Sequence, residues 1–390
     1  MSYGELGLRP VLNGLGPVTR LGGLPMSETV LDAMRWAVAT NVRMDELQEA
    51  AGIELARVLN VPAAHVTSGA YAGITLAAAV CAVGGDSRGV DELPTVGHRS
   101  RVVIQMAHRD PYDHAITTVG LRLTEIGYPY STRAHELARE LDGTVAAVLH
   151  RIGGNGDMLP LRTVADLCHA ADVPVIVDAA DSVPPLARLR QLYDDGADLI
   201  TISGGKAFRG PQASGILCGR ADLIRHVALH HLDMDLRDAT WNASDVTGYW
   251  PTGGREGIGR GMKVGREQIV GLLTAVKEFA GDPDRWAEHY RTELSACDRA
   301  LAASQTVRVS HEHDHVMDVP ILVIDFSETS MTADDVSRLL DRGTPRIQLS
   351  EALAWRNRLI VNPMALAKDD GAQIGQQILA VLEAGLADKE

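Results

Sequence analysis

Between residues 45 and 265 this chain alternates short, largely apolar runs with segments of helical periodicity. That alternation constrains the fold more than any other feature. The apolar runs lie at 101–106, 144–149, 174–177, 199–202 and 215–218. Runs of four to six residues without polar alternation suit strands covered on both faces. Residues 45–59 carry Leu47, Ala50, Ala51, Ile53, Leu55 and Val58 at amphipathic spacing, and 163–171 reads as another helix. Residues 73–83 are small and apolar, as in a buried helix lying close to a sheet. Repeated βα units imply a mostly parallel sheet with right-handed crossovers. From 267 onward helices (267–279, 286–304, 332–341, 370–385) mix with strands (319–325, 358–361), which suggests a smaller α+β domain. The expected division is an N-terminal arm over 1–45, a large domain over 46–265 and a small C-terminal domain over 266–390.

Two of the apolar runs end on reactive groups. Val175-Ile176-Val177-Asp178 ends on a carboxylate, and Ile200-Thr201-Ile202-Ser203-Gly204-Gly205-Lys206 ends on two glycines and an amine 28 residues later. This pair suits pyridoxal phosphate (PLP). Lysine condenses with the aldehyde as a Schiff base, and aspartate keeps the pyridinium nitrogen protonated. Asp181 is a second carboxylate nearby. Thr67-Ser68-Gly69-Ala70 opens the small-residue helix, where N–H groups and the helix dipole attract a phosphate. Ser203 and Arg209 are further candidates for that anion, and Ala180 for cofactor contact. His108 follows the run at 101–106 and is expected to stack on the ring and serve as the second acid/base; His114 is the alternative.

Arg20, Arg255, Arg260 and Lys263 are candidates for an anionic substrate. The last three lie in an irregular Gly-, Trp- and Arg-rich stretch, 241–263. Its glycines allow no Gly-x-Gly-x-x-Gly, and no strand precedes them, so a dinucleotide loop is not expected. His311-Glu312-His313-Asp314-His315 reads as a polar hairpin, and no metal site is expected. The four cysteines form no CxxC pair and are expected to be reduced thiols. The formal charge of −14 argues against a nucleic-acid surface. No apolar run approaches the roughly 20 residues that span a bilayer. The start of the chain lacks the basic and apolar regions of a signal peptide. A cytoplasmic protein is expected.

The stretch from Ser203 to Ile216, with Val177-Asp178-Ala179-Ala180, Thr67-Ser68-Gly69-Ala70 and Gly261-Met262-Lys263-Val264-Gly265-Arg266-Glu267, resembles the selenocysteine synthase-like family of fold-type I PLP enzymes. The resemblance covers most of residues 10–280. It implies an aspartate-aminotransferase-like large domain with a mostly parallel seven-stranded sheet, and a homodimer or higher oligomer with shared active sites. The segment from Ile104 to Ile116 most resembles the D-glucosaminate-6-phosphate ammonia lyase-like subgroup. Asn362-Pro363-Met364-Ala365-Leu366 is neutral where that subgroup carries a basic residue, leaving room for another small amino acid. The expected reaction is β-elimination from a small amino acid through an aldimine and a carbanion. Racemisation or epimerisation is the alternative. Transamination, retro-aldol cleavage, tRNA-dependent selenium transfer and a non-catalytic PLP-binding role stand further back.

Overall fold

A computed structural model describes residues 2–153, 156–233 and 256–387. The chain forms two compact units, one of residues 26–281 and the other of residues 1–25 with 282–390.

The first unit is built on a seven-stranded sheet. Its order is Ala63–Thr67, Gly215–Gly219, Leu199–Ser203, Val175–Asp178, Val145–Arg151, Arg101–Gln105, Arg122–Ile126. The last five of these run parallel, and Gly215–Gly219 is antiparallel to both its neighbours. Val145–Arg151 and Gly215–Gly219 are buried at every position, which accounts for their lack of polar alternation. Ile104, Leu149, Ile176, Leu199 and Leu217 form a core with the helix Ala70–Val83. That helix is buried from Ala72 to Cys81. Its small side chains let it lie close to the sheet: a Cβ on Gly73 would stand 2.1 Å from Thr201 Oγ1.

Helix Arg266–Gly281 packs against Glu28–Val38 and Met44–Leu59. The packing therefore divides the chain at 25/26 and 281/282, where the sequence suggested 45/46 and 265/266. An amphipathic face shows that a helix is half-buried but does not name the surface that buries it.

The second unit has a three-stranded antiparallel sheet, Arg358–Val361, Val319–Asp325, Arg308–Asp314, and a parallel pair, Val11–Gly14 with Arg346–Leu349. Leu12 thereby joins a core of Leu294, Phe326, Val336, Ile347, Leu359 and Ile374. Gly16 sits against Asn362, where φ is +83° and a Cβ would stand 2.6 Å from Asn362 Cγ. Within the polar hairpin, His311 pairs with Asp298 at 2.9 Å and His313 with Asp318 at 2.7 Å. Among the described residues no helix is long and apolar enough to cross a membrane.

Candidate active site

The parallel strands end together, and the chemistry-bearing residues of the sequence lie at those ends, where open α/β sheets place their sites. Arg151, Asp178 and Thr201 form one row across three strands. Ser203, Gly215 and Thr67 form another, from the strand of Thr201 across the two beyond it.

Asp178 closes the strand Val175–Asp178 and is 11% exposed. Both carboxylate oxygens are held. Ala180 donates its N–H to Oδ1 at 3.1 Å, and Arg151 donates Nε–H to Oδ2 at 3.2 Å. Lys206 stands in the turn after Leu199–Ser203, with a quarter of its side chain exposed. Its amine is ion-paired with Asp181, not with Asp178. The two glycines before it are fixed by close approach. A Cβ on Gly204 would stand 2.3 Å from Ser214 Oγ, and one on Gly205 would stand 2.8 Å from Gln212 Cα. The turn is tied by Gly204 N–H to the Ser214 carbonyl (2.9 Å), Gly210 N–H to the Gly204 carbonyl (2.9 Å) and Arg209 N–H to the Lys206 carbonyl (2.8 Å). Arg209 is buried with φ of +55°, so its backbone helps to close the turn.

The helix N-terminus is pressed onto the same edge. Thr201 Oγ1 donates to the Ala70 carbonyl at 3.1 Å, and a Cβ on Gly215 would stand 2.6 Å from the Gly69 carbonyl carbon. Gly69 has φ of +126°, and a Cβ there would meet nothing within 4 Å. The loop is thus packed against the sheet on one side and open on the other. First-turn N–H groups have no acceptor within their own helix, so this opening suits an anion. Ser68 is half-buried beside it. Thr67 is fully buried and spends its hydroxyl on the Gly69 carbonyl at 2.9 Å, so it shapes the loop.

His108 ends a short 3-10 turn directly after the strand Arg101–Gln105 and is buried. Its Nδ1 accepts the Arg151 backbone N–H at 3.3 Å, and its ring meets His150 edge-on at 4.7 Å between centroids. Burial, with the Arg151 charge adding, pushes the His108 imidazole down to about 4. Burial, with His108 adding, pushes His150 down to about 3. His108 is therefore neutral near pH 7, which suits packing against a ring better than supplying a cationic acid. His114 is exposed and borders Thr117 at 3.5 Å.

The substrate candidates are less gathered. Arg255 lies outside the described residues. Arg260 is ion-paired with Asp233 and lies 3.7 Å from Glu256, so its charge is already engaged; Lys263 is exposed. Arg20, in the other unit, lines a hollow there with Asp334, Ser337, Arg338 and Glu351. Sequence reasoning missed Arg151. Its signal was a cation closing an apolar run, as Asp178 does one strand over.

Lys206, Asp178, His108 and the open loop at Gly69 together form a donor set that fits PLP: an amine, a carboxylate, a buried ring and an anion cradle. Residues 47–235 match the Aminotransferase class-V family. That match covers just under half of the chain; the chain has the fold, with its mostly parallel seven-stranded sheet, of a fold-type I PLP-dependent enzyme. More particularly, it is similar to D-glucosaminate-6-phosphate ammonia lyase of Salmonella typhimurium, at 27% identity over 98% of each chain. A solved structure of a D-glucosaminate-6-phosphate ammonia-lyase superposes with a TM-score of 0.81 at 25% identity, again over 98% of both chains. It is also similar to a 5'-C-glycyluridine monooxygenase-decarboxylase from Streptomyces, at 29% identity over 98% of this chain and 92% of that protein. The L-seryl-tRNA(Sec) selenium transferase of Rhizobium meliloti is 29% identical over 59% of this chain, which spans 53% of that protein.

Proposed function

We propose that this enzyme is a PLP-dependent lyase that eliminates a β-substituent from a small hydroxylated amino acid, with release of ammonia. The observation that carries the reading is the arrival of Lys206 and Asp178 at the ends of adjacent parallel strands, beside an open helix N-terminus. Similarity to an ammonia lyase over nearly the whole chain supports the reaction class. When bound, PLP supplies the electron sink for an α-carbanion. Lys206 would hold the cofactor aldehyde and is the amine available to carry the α-proton. Asp178, held through both oxygens, would pair with the ring nitrogen. His108 would pack on the ring and offer Nε2–H. Gly69, Ala70, Ser68 and Ser203 would receive the phosphate. Arg20, Arg255, Arg260 and Lys263 remain the candidates for the substrate's anionic groups, with Arg260 first released from Asp233. The working form would be a homodimer or higher homo-oligomer with shared active sites, in the cytoplasm.

Absorbance tests the cofactor. The purified enzyme should show a band at about 400–430 nm that borohydride bleaches, the signature of a lysine-bound PLP. Lys206→Ala should lack it. A band surviving in Lys206→Ala would move the attachment elsewhere.

A second reading has support of its own. The monooxygenase-decarboxylase relative matches as well as the lyase does, so oxygen-dependent decarboxylation of an amino acid at the same site is the competing outcome. Incubation with D- and L-amino acids in D2O, with and without oxygen, separates the two. Ammonia and an oxo acid indicate the lyase. Carbon dioxide release that requires oxygen indicates the oxygenase, and α-deuteration with inversion indicates a racemase.

A further inference from the structure

Arg151 is a buried arginine to which the reading above gives no task. Its side chain is 10% exposed. It closes the strand Val145–Arg151 and stands in register with Asp178. Its guanidinium meets three carboxylates: Asp178 at 3.2 Å, Asp110 at 2.8 Å and Asp113 at 3.0 Å. It also donates to the His108 carbonyl, while its backbone N–H donates to His108 Nδ1 at 3.3 Å. The carboxylate proposed for the ring nitrogen and the imidazole proposed for the ring face are thus attached to one residue.

We propose that Arg151 is a positioning residue for the cofactor ring, acting through Asp178 and His108. The proposal rests on the PLP reading of the site. The two attachments do different work. Arg151 Nε–H on one oxygen and Ala180 N–H on the other fix the plane of the Asp178 carboxylate. The backbone N–H at Nδ1 leaves the neutral His108 proton on Nε2, so the tautomer is set by the strand and not by the ligand. Asp110 and Asp113 offset the remaining charge, and Arg109 pairs with Asp113 from the outer side. A buried charge persists only with such partners, so the cluster is a frame built to hold one cation in one place. Lysine would keep the charge but lack the planar fork that reaches several acceptors at once.

The test is a double-mutant cycle read on PLP itself. PLP dissociation constants and visible spectra are measured for wild type, Arg151→Gln, Asp178→Asn and the double variant. Arg151→Gln should weaken PLP binding on the order of tenfold, the size of coupling within one hydrogen-bonded network, and shift the visible band. In the Asp178→Asn background the same change should alter affinity less than about twofold, because the route through Asp178 is already cut. Independent effects that multiply, with an unmoved band, would overturn the proposal. Should Arg151→Gln fail to fold, Arg151→Lys takes its place in the cycle. Arg151→Lys keeps the buried charge and is expected to bind PLP about fivefold more weakly than wild type; wild-type affinity and band in that variant also overturn it. Wild-type binding and spectrum in Asp178→Asn alone would instead remove the PLP reading of Asp178, and the proposal with it.

Discussion

The Lys206 amine is ion-paired with Asp181, while Asp178, three residues earlier, is turned to Arg151. Two carboxylates three residues apart thus have separate partners. Asp178 is buried at the strand end, whereas Asp181 is 46% exposed. Exposed ion pairs contribute only ~0.2–1 kcal/mol. Asp181→Asn should therefore lower stability by less than ~1 kcal/mol and change PLP affinity only a few-fold. Asp178→Asn should weaken PLP binding by on the order of tenfold or more. Thermal melts and PLP titrations check both; equal losses in the two variants would contradict the division of roles.

The helix that starts at Gly69 depends on a missing side chain. In an exposed helix interior Gly→Ala stabilises by ~1 kcal/mol. At Gly73 the added methyl would stand 2.1 Å from Thr201 Oγ1. Gly73→Ala should therefore destabilise by ~1–3 kcal/mol, as overpacked sites do. Removing the hydroxyl in a Gly73→Ala, Thr201→Ala variant should recover part of the loss. Urea unfolding of the two variants measures the difference.

Stability should fall in mild acid. The His108 imidazole is pushed down from 6.5 to about 4 by burial and then by the Arg151 charge. Between those values the unfolded chain binds the proton and the folded one does not. Stability therefore rises with pH across this window, at up to ~1.4 kcal/mol per pH unit for each such histidine. Burial also pushes down His65, His150, His230 and His231. Unfolding free energy should drop from pH 7 to pH 4.5, and His108→Gln should flatten the slope by up to about one proton. A parallel profile in that variant would contradict a neutral, buried His108.

The thiols should be silent. Cys81, Cys168, Cys218 and Cys297 are all buried, and burial pushes each thiol up to about 12. Reaction proceeds through the thiolate. A disulfide reagent at pH 8 should label none of the four within minutes in the folded protein and all four after denaturation. Rapid labelling of the folded protein would contradict their burial.

Much of the large sheet was legible because strands covered on both faces leave contiguous apolar runs. The expected runs at 101–106, 144–149, 174–177, 199–202 and 215–218 lie within two residues of the observed strand ends. Two outer strands were not read: Ala63–Thr67, which carries a histidine, and Arg122–Ile126, which shows only one fully buried residue. Arg122–Ile126 is lightly covered and so has no apolar run, whereas Ala63–Thr67 is buried from Ala64 onward but its histidine and threonine interrupt the run. The placement of Lys206 and Asp178 after strands and of Gly69 at a helix start was legible for a local reason, since each directly follows a run or opens a helix. Thr67 was read as a cofactor contact and found tied to Gly69, because a hydroxyl before a glycine turn has both uses in sequence.

The sequence by itself determined the alternation of strands and helices and the reactive groups at their ends, because periodicity and strand termination are written in neighbouring residues. Tertiary structure alone decided which of those groups meet. The pairing of Val11–Gly14 with Arg346–Leu349, the Thr201 hydroxyl on Ala70, and the choice of Arg151 for Asp178 and of Asp181 for Lys206 all join residues from separate elements or turns. Strand order and register set those pairings, and no local pattern in the chain specifies them.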